Sequence, residues 1–121
     1  MADKLTEQII AAAIEAHKAL GPGLLESIYE EALCHEFELR QIKYERQKPV
    51  NVNYKGHAIK GQRIDLLVES DVILELKAQR KVPDIAMAQV FSYLKATGLK
   101  RALLMNFSES KLIKGIKRIS L

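Results

Sequence analysis

The stretch DLLVESDVILELK, residues 65–77, constrains the fold more than any other part of this chain. Two apolar runs, Leu66–Val68 and Val72–Leu74, flank Glu69-Ser70-Asp71, a break short enough to be a hairpin loop. Side chains alternate faces along a strand, and directly opposed residues share a face. A three-residue loop sets Val68 opposite Val72, Leu66 opposite Leu74 and Asp65 opposite Glu75. One face of the hairpin is then wholly apolar, with Ile64, Leu66, Val68, Val72, Leu74 and Leu76. The other carries Asp65, Leu67, Ile73, Glu75 and Lys77. A two-residue loop would send the two acids to opposite faces, so loop length decides whether an acidic pair exists.

Other elements fall around this hairpin. Ile9, Ile10, Ala13, Ile14 and His17 recur at helical spacing, which predicts a helix over about Thr6–Leu20, stopped by Gly21-Pro22-Gly23. A second helix is expected from about Leu25 to Arg40, with Leu25, Ile28, Tyr29, Ala32, Leu33 and Phe37 on one apolar arc. Glu26 lies at the edge of that arc, Glu36 near its centre and Cys34 opposite it. Val50–Tyr54 alternates with period two, and Lys55-Gly56 can turn the chain into a strand over Ile59–Val68. Pro83-Asp84 opens a third helix to about Thr97, closed by Gly98. Arg101–Phe107 reads as a buried strand, and the basic tail Lys111–Leu121 as a further edge strand. The order α-α-β-β-β-α-β, with a final β, describes a mixed sheet with helices packed on it.

Two carboxylates with β-carbons about 5 Å apart repel, and burying them is costly. Protonation of one, compensation by Lys77, or a cation between them would relieve the pair. Hard oxygen ligands on rigid strands suit Mg²⁺ or Mn²⁺. Lys77 points the same way as Glu75 and can orient a water or stabilise charge on a phosphate. A salt-bridged Asp-Glu-Lys cluster without metal satisfies the same spacing. On the third helix Gln89 and Tyr93 stand one turn apart, beside a face of Met87, Val90, Phe91 and Leu94. They form either a polar flank or a second wall of the same site.

Asp65, then Glu75-x-Lys77, then Gln89-x-x-x-Tyr93 resembles the PD-(D/E)XK nuclease superfamily, especially its RecB-like branch. The segment from Gly21 to Tyr29 carries Gly23-x-x-Glu26-x-x-Tyr29, which is similar to the signature of the GxxExxY protein family of bacteria and archaea. YERQKPV, VILELKA and YLKATGL are similar to that family as well, so the resemblance covers about residues 5 to 119. It implies an α/β mixed sheet of restriction-endonuclease type, an α-β-β-β-α-β core with an extra N-terminal helix. It implies that Asp65, Glu75 and the Leu76 carbonyl hold Mg²⁺ or Mn²⁺, that Lys77 positions the attacking water, and that Glu26, Gln89 and Tyr93 complete the catalytic site. Two departures stand out. Ala86-Met87 occupy positions where family members often carry His-Glu, and Arg63-Ile64 precede Asp65 without the proline of the superfamily name.

Length and composition fit this reading. A chain of 121 residues, 48% hydrophobic and 28% charged, is expected to form one domain over residues 1–121. No apolar run approaches the ~20 residues that span a bilayer. The N-terminus lacks the apolar segment of a signal peptide. One cysteine, Cys34, excludes an internal disulfide, and a cytoplasmic location is expected. His17, His35 and His57 show no zinc spacing. The net charge of +4 divides unevenly: residues 1–42 hold eight acids and three bases, and residues 43–121 hold seven acids and sixteen bases. The basic part, including Lys111, Lys114, Lys117 and Arg118, is expected to face a polyanion, DNA rather than RNA. A domain of this size is expected to gain footprint as a homodimer. The leading expectation is a divalent-metal-dependent DNA nuclease. The alternatives are a non-catalytic module of the same fold, binding nucleic acid or a protein partner, and an enzyme acting on small phosphorylated molecules.

Overall fold

The computed structural model describes residues 3–121. Helix α1 spans Lys4–Leu20 and α2 spans Glu26–Leu39. Strands β1 (Tyr44–Tyr54), β2 (His57–Val68) and β3 (Val72–Lys77) follow, then α3 (Ile85–Thr97), β4 (Arg101–Asn106), a 3-10 turn at Leu112–Gly115 and β5 (Ile116–Ser120). The sheet order is β1-β2-β3-β4-β5. All neighbours are antiparallel except β3 and β4, which run parallel across the α3 crossover. This is the mixed α+β architecture of a restriction-endonuclease-like fold. Among the described residues no helix is long and apolar enough to cross a membrane.

Local chemistry accounts for the boundaries. The Asp3 side chain accepts from the Thr6 N–H at 2.7 Å and starts α1. Gly98 closes α3 in the left-handed conformation, with φ 76°. Lys55 and Gly56 both have positive φ, 49° and 81°. That is the backbone of a two-residue hairpin turn whose twist matches the strands it joins.

Period-two alternation divides the sheet between two cores. Leu66, Val68, Val72, Leu74 and Leu76 pack with Leu103 and Met105 against Ile9, Ala13, Tyr29, Leu33 and Phe37 of α1 and α2. Leu67, Ile73, Ala102 and Leu104 pack against Ala86, Val90, Tyr93 and Leu94 of α3. The hairpin register is the three-residue one: Val68 faces Val72 and Leu66 faces Leu74.

The structure changes four expectations. Ile64 packs in the α3-side core with Leu67, not with Leu66. The alternation breaks at Asp65, where Asp65 and Gln47 drop out of the β1–β2 register and Gln47 takes φ 49°. The first strand begins six residues earlier than Val50, at Tyr44. The buried stripe of α2 is Tyr29, Glu30, Leu33, Cys34 and Phe37, while Leu25 and Ile28 are exposed. Cys34 is therefore buried rather than on the surface, and burial pushes its thiol up to about 11. His17 is buried, its Nε2 3.2 Å from the Phe107 carbonyl.

Candidate active site

The site forms where β2 and β3 part. Their ladder stops at Leu66 and Leu74. Beyond it the acidic side chains take the place of backbone acceptors. The Leu76 N–H donates to Asp65 Oδ2 at 2.8 Å, and the Asp65 N–H donates to Glu75 Oε1 at 3.2 Å. Each acid is thus braced on the other's strand, and the two stand together as the loop length required. Glu75 is only 4% exposed.

The electrostatics follow from that crowding. Burial pushes the Glu75 carboxyl up to about 7, with the Asp65 charge adding to it; the Asp65 N–H and Lys77 pull the other way. The Asp65 carboxyl is also raised, chiefly by burial and then by Glu30, while the Leu76 N–H and Lys77 favour its charged form. Glu26, at the first position of α2, is raised by partial burial and by Asp65, and lowered by Lys77 and the Ala78 N–H. Tyr93 is pushed up to about 12 by burial and then by Glu75 and Asp65. Glu26, Asp65, Glu75, Lys77 and Tyr93 therefore share one electrostatic neighbourhood, with α2 on one side of the sheet and α3 on the other.

Gln89 and Tyr93 are not placed alike. Tyr93 sits in the α3-side core with Val90 and Leu94, only 3% exposed, instead of on a polar flank. Gln89 lies on the exposed side of α3, with no hydrogen bond among the described residues.

Three contributors were not anticipated from sequence. Glu30, buried on α2, accepts from Arg46 Nη2 at 3.0 Å and from Gln47 Nε2 at 2.9 Å. Gln47, Glu30, Glu26, Ser27, Leu25 and Asp65 line a cleft of about 430 Å³. The positive φ of Gln47 turns this strand residue toward α2. Asn106, opposite Lys77 on β4, accepts from the Gln79 N–H at 3.2 Å and donates to the Gln79 carbonyl at 2.8 Å. It pins the segment that leaves the site. A helix glutamate three residues before a buried leucine and a polar residue ending an apolar strand were the available signals.

Tyr29 supports the turn ahead of Glu26. Its hydroxyl donates to the Gly21 carbonyl at 2.5 Å and accepts from the Leu24 N–H at 3.1 Å, while its ring stacks on Phe107 at 4.6 Å. The Gly23-x-x-Glu26-x-x-Tyr29 spacing thus places an acid over the cleft and a clamp beneath the loop that carries it.

Among the described residues no three His, Cys, Asp or Glu side chains gather into a ready-made metal cage. The donor set is an acidic pair of hard oxygens in a desolvated position, with Lys77 as the nearby cation. That suits an ion which keeps several of its own waters, as Mg²⁺-like ions do.

A family model described as the PD-(D/E)XK nuclease superfamily matches residues 3–119. No curated protein matches the sequence. A solved structure, "Crystal structure of SSO0001", shares 15% identity at a TM-score of 0.49, covering 98% of this chain and 78% of its own.

Proposed function

This chain belongs to the PD-(D/E)XK nuclease superfamily, whose members generally use divalent metals, and we propose that it is an active Mg²⁺- or Mn²⁺-dependent nuclease hydrolysing phosphodiester bonds in DNA. The observation that carries the reading is the reciprocal bracing of Asp65 and Glu75 at the parted end of β2 and β3, in a buried position that raises both carboxyls. A pair of acids held there at a cost to the fold is what a cation site requires.

Asp65, Glu75 and the Leu76 carbonyl would hold the ion. Bound there, the ion supplies charge neutralisation at the phosphate and a water of lowered pKa. Lys77, on the strand face of Glu75, would donate to a phosphate oxygen or to the attacking water. Glu26 takes a proton or orients a second water from the α2 side. Tyr93 closes the α3 side against bulk solvent, and Gln89 contacts substrate from the exposed face one turn away. Glu30, through Gln47, fixes the wall of the cleft beside Asp65.

Within the superfamily we assign the chain to the GxxExxY group of the RecB-like branch, on Gly23-x-x-Glu26-x-x-Tyr29 and the support that Tyr29 gives the Glu26 turn. Residues 1–121 form one such domain, active in the cytoplasm and paired as a homodimer.

The test is cleavage of duplex DNA by purified protein with Mn²⁺ or Mg²⁺, beside Mn²⁺ titration of the wild type and of Asp65→Ala. Cleavage together with saturable Mn²⁺ binding lost in the variant supports the reading. Binding of DNA with neither property identifies a non-catalytic module. Metal binding without salt-sensitive affinity for DNA points to a small phosphorylated substrate.

A further inference from the structure

β2 loses its β3 partner at Asp65 but continues back to His57, paired with β1 alone. Nine residues of β2 therefore belong to a two-stranded ribbon, roughly 30 Å along its contour at about 3.3 Å per residue. A register shift between Val50 and Val52, and Gly61 at φ 128°, mark a bulge part-way along it. Toward its far end Asn51, Val52 and Asn53, all exposed, share an open groove with Phe91, Ser92 and Lys95 of α3. Its tip, Tyr54 to His57, is exposed.

The charge of this ribbon is one-sided. Residues 46–64 contain five Lys and Arg and no Asp or Glu. Arg46 is committed to Glu30 and Lys48 to Glu45. Lys55, Lys60 and Arg63 have no acidic partner among the described residues, and the ribbon runs directly into Asp65. The ribbon leaves the apolar side chains of Val52, Tyr54 and Ile59 exposed to water, at a cost that a bound partner removes.

We propose that the Asn51–Gly61 ribbon is a duplex-DNA grip that lays the phosphate backbone across the Asp65–Glu75 site. Two strands about 4.8 Å apart with their side chains make a ribbon that enters the B-form major groove, about 12 Å wide. The major groove of A-form RNA is too deep and narrow to admit it. Lys55 at the tip and Lys60 on the returning strand contact phosphates, and Arg63 continues the track to the acids. The inference rests on the DNA reading of the site but is tested apart from hydrolysis.

The experiment measures binding of a fluorescent DNA duplex in EDTA over a KCl series, for the wild type and a Lys55→Ala, Lys60→Ala double variant. Each lost phosphate contact removes about 0.9 from the slope of log affinity against log salt, so a drop of about 2 is expected. Mn²⁺ binding and hydrolysis of bis(p-nitrophenyl) phosphate should stay unchanged, because neither lysine enters the site. A Lys43→Ala, Lys100→Ala control, with both bases at the opposite end of β3 and β4, should keep the wild-type slope. A double variant with an unaltered slope overturns the grip while leaving the nuclease reading intact. Loss of slope in a protein that never cuts DNA supports the grip and removes the nuclease reading. Absence of duplex binding in the wild type overturns both, and equal binding of duplex RNA through the same lysines overturns the choice of DNA.

Discussion

Leu76 donates its backbone N–H to the Asp65 carboxylate at 2.8 Å, so an acid from one strand takes the hydrogen bond that the neighbouring strand has given up. The acidic pair is part of how the sheet ends. Asp65 therefore has two separable roles, acceptor and charge.

Asp65→Asn should separate them. The amide oxygen still accepts from Leu76, so the thermal midpoint should stay within a few degrees of the wild type, whereas Asp65→Ala leaves a buried donor unpaired at about 1–3 kcal/mol. Both should lower DNA cleavage by about 10²-fold or more, read under single-turnover conditions.

The second prediction concerns pH. Glu75 is raised from 4.5 to about 7, so the folded metal-free protein holds a proton that the unfolded chain has released. Stability should fall as pH rises between those values and level off above them. Glu75→Gln should flatten this profile and raise the midpoint at pH 8. Mn²⁺ needs the ionised form, so its affinity should climb over the same interval with release of a proton. Calorimetry in buffers of different ionisation enthalpy measures that proton. A pH-independent affinity would remove Glu75 as a ligand.

Tyr29→Phe keeps the stacking on Phe107 and deletes both hydrogen bonds to the turn. It should cost about 1–2 kcal/mol in urea unfolding. It should weaken catalysis through a misplaced Glu26, leaving Mn²⁺ affinity nearer to wild type than Glu75→Ala does.

Asn106→Leu fits the volume of a buried position but orphans both backbone groups of Gln79. A loss of about 2–4 kcal/mol is expected, with faster amide exchange in the segment after Lys77.

The sequence made legible those features that depend on short-range pattern. The loop Glu69-Ser70-Asp71 had the length that fixes the register, and the register then brought Asp65 to Glu75. Gly98 and the apolar run of β4 announced themselves in the same way. Where exposure is two-sided, pattern carries nothing. Tyr44–Pro49 is an edge segment mostly open to solvent, so no alternation betrays its strand. Cys34 and Glu30 lie on the inner stripe of α2, because the helix is rolled so that Leu25 and Ile28 face outward. That roll is set by packing on α1 and β3, not by the helix itself. Glu30 has its partners on β1, sixteen and seventeen residues away, and no spacing rule links them.

The outer strands limit how two copies of this chain can meet. β1 carries Pro49, a residue without an N–H, and breaks register at Val50 and Val52. β5 is five residues long and presents Lys117 and Arg118. Neither margin offers a flat, uncharged row of donors and acceptors to a twin, so the sheet is guarded against growing into a ten-stranded continuous one or an insoluble stack. Pairing of subunits is expected to use helices or loops, and dimer contacts should survive substitutions along both margins.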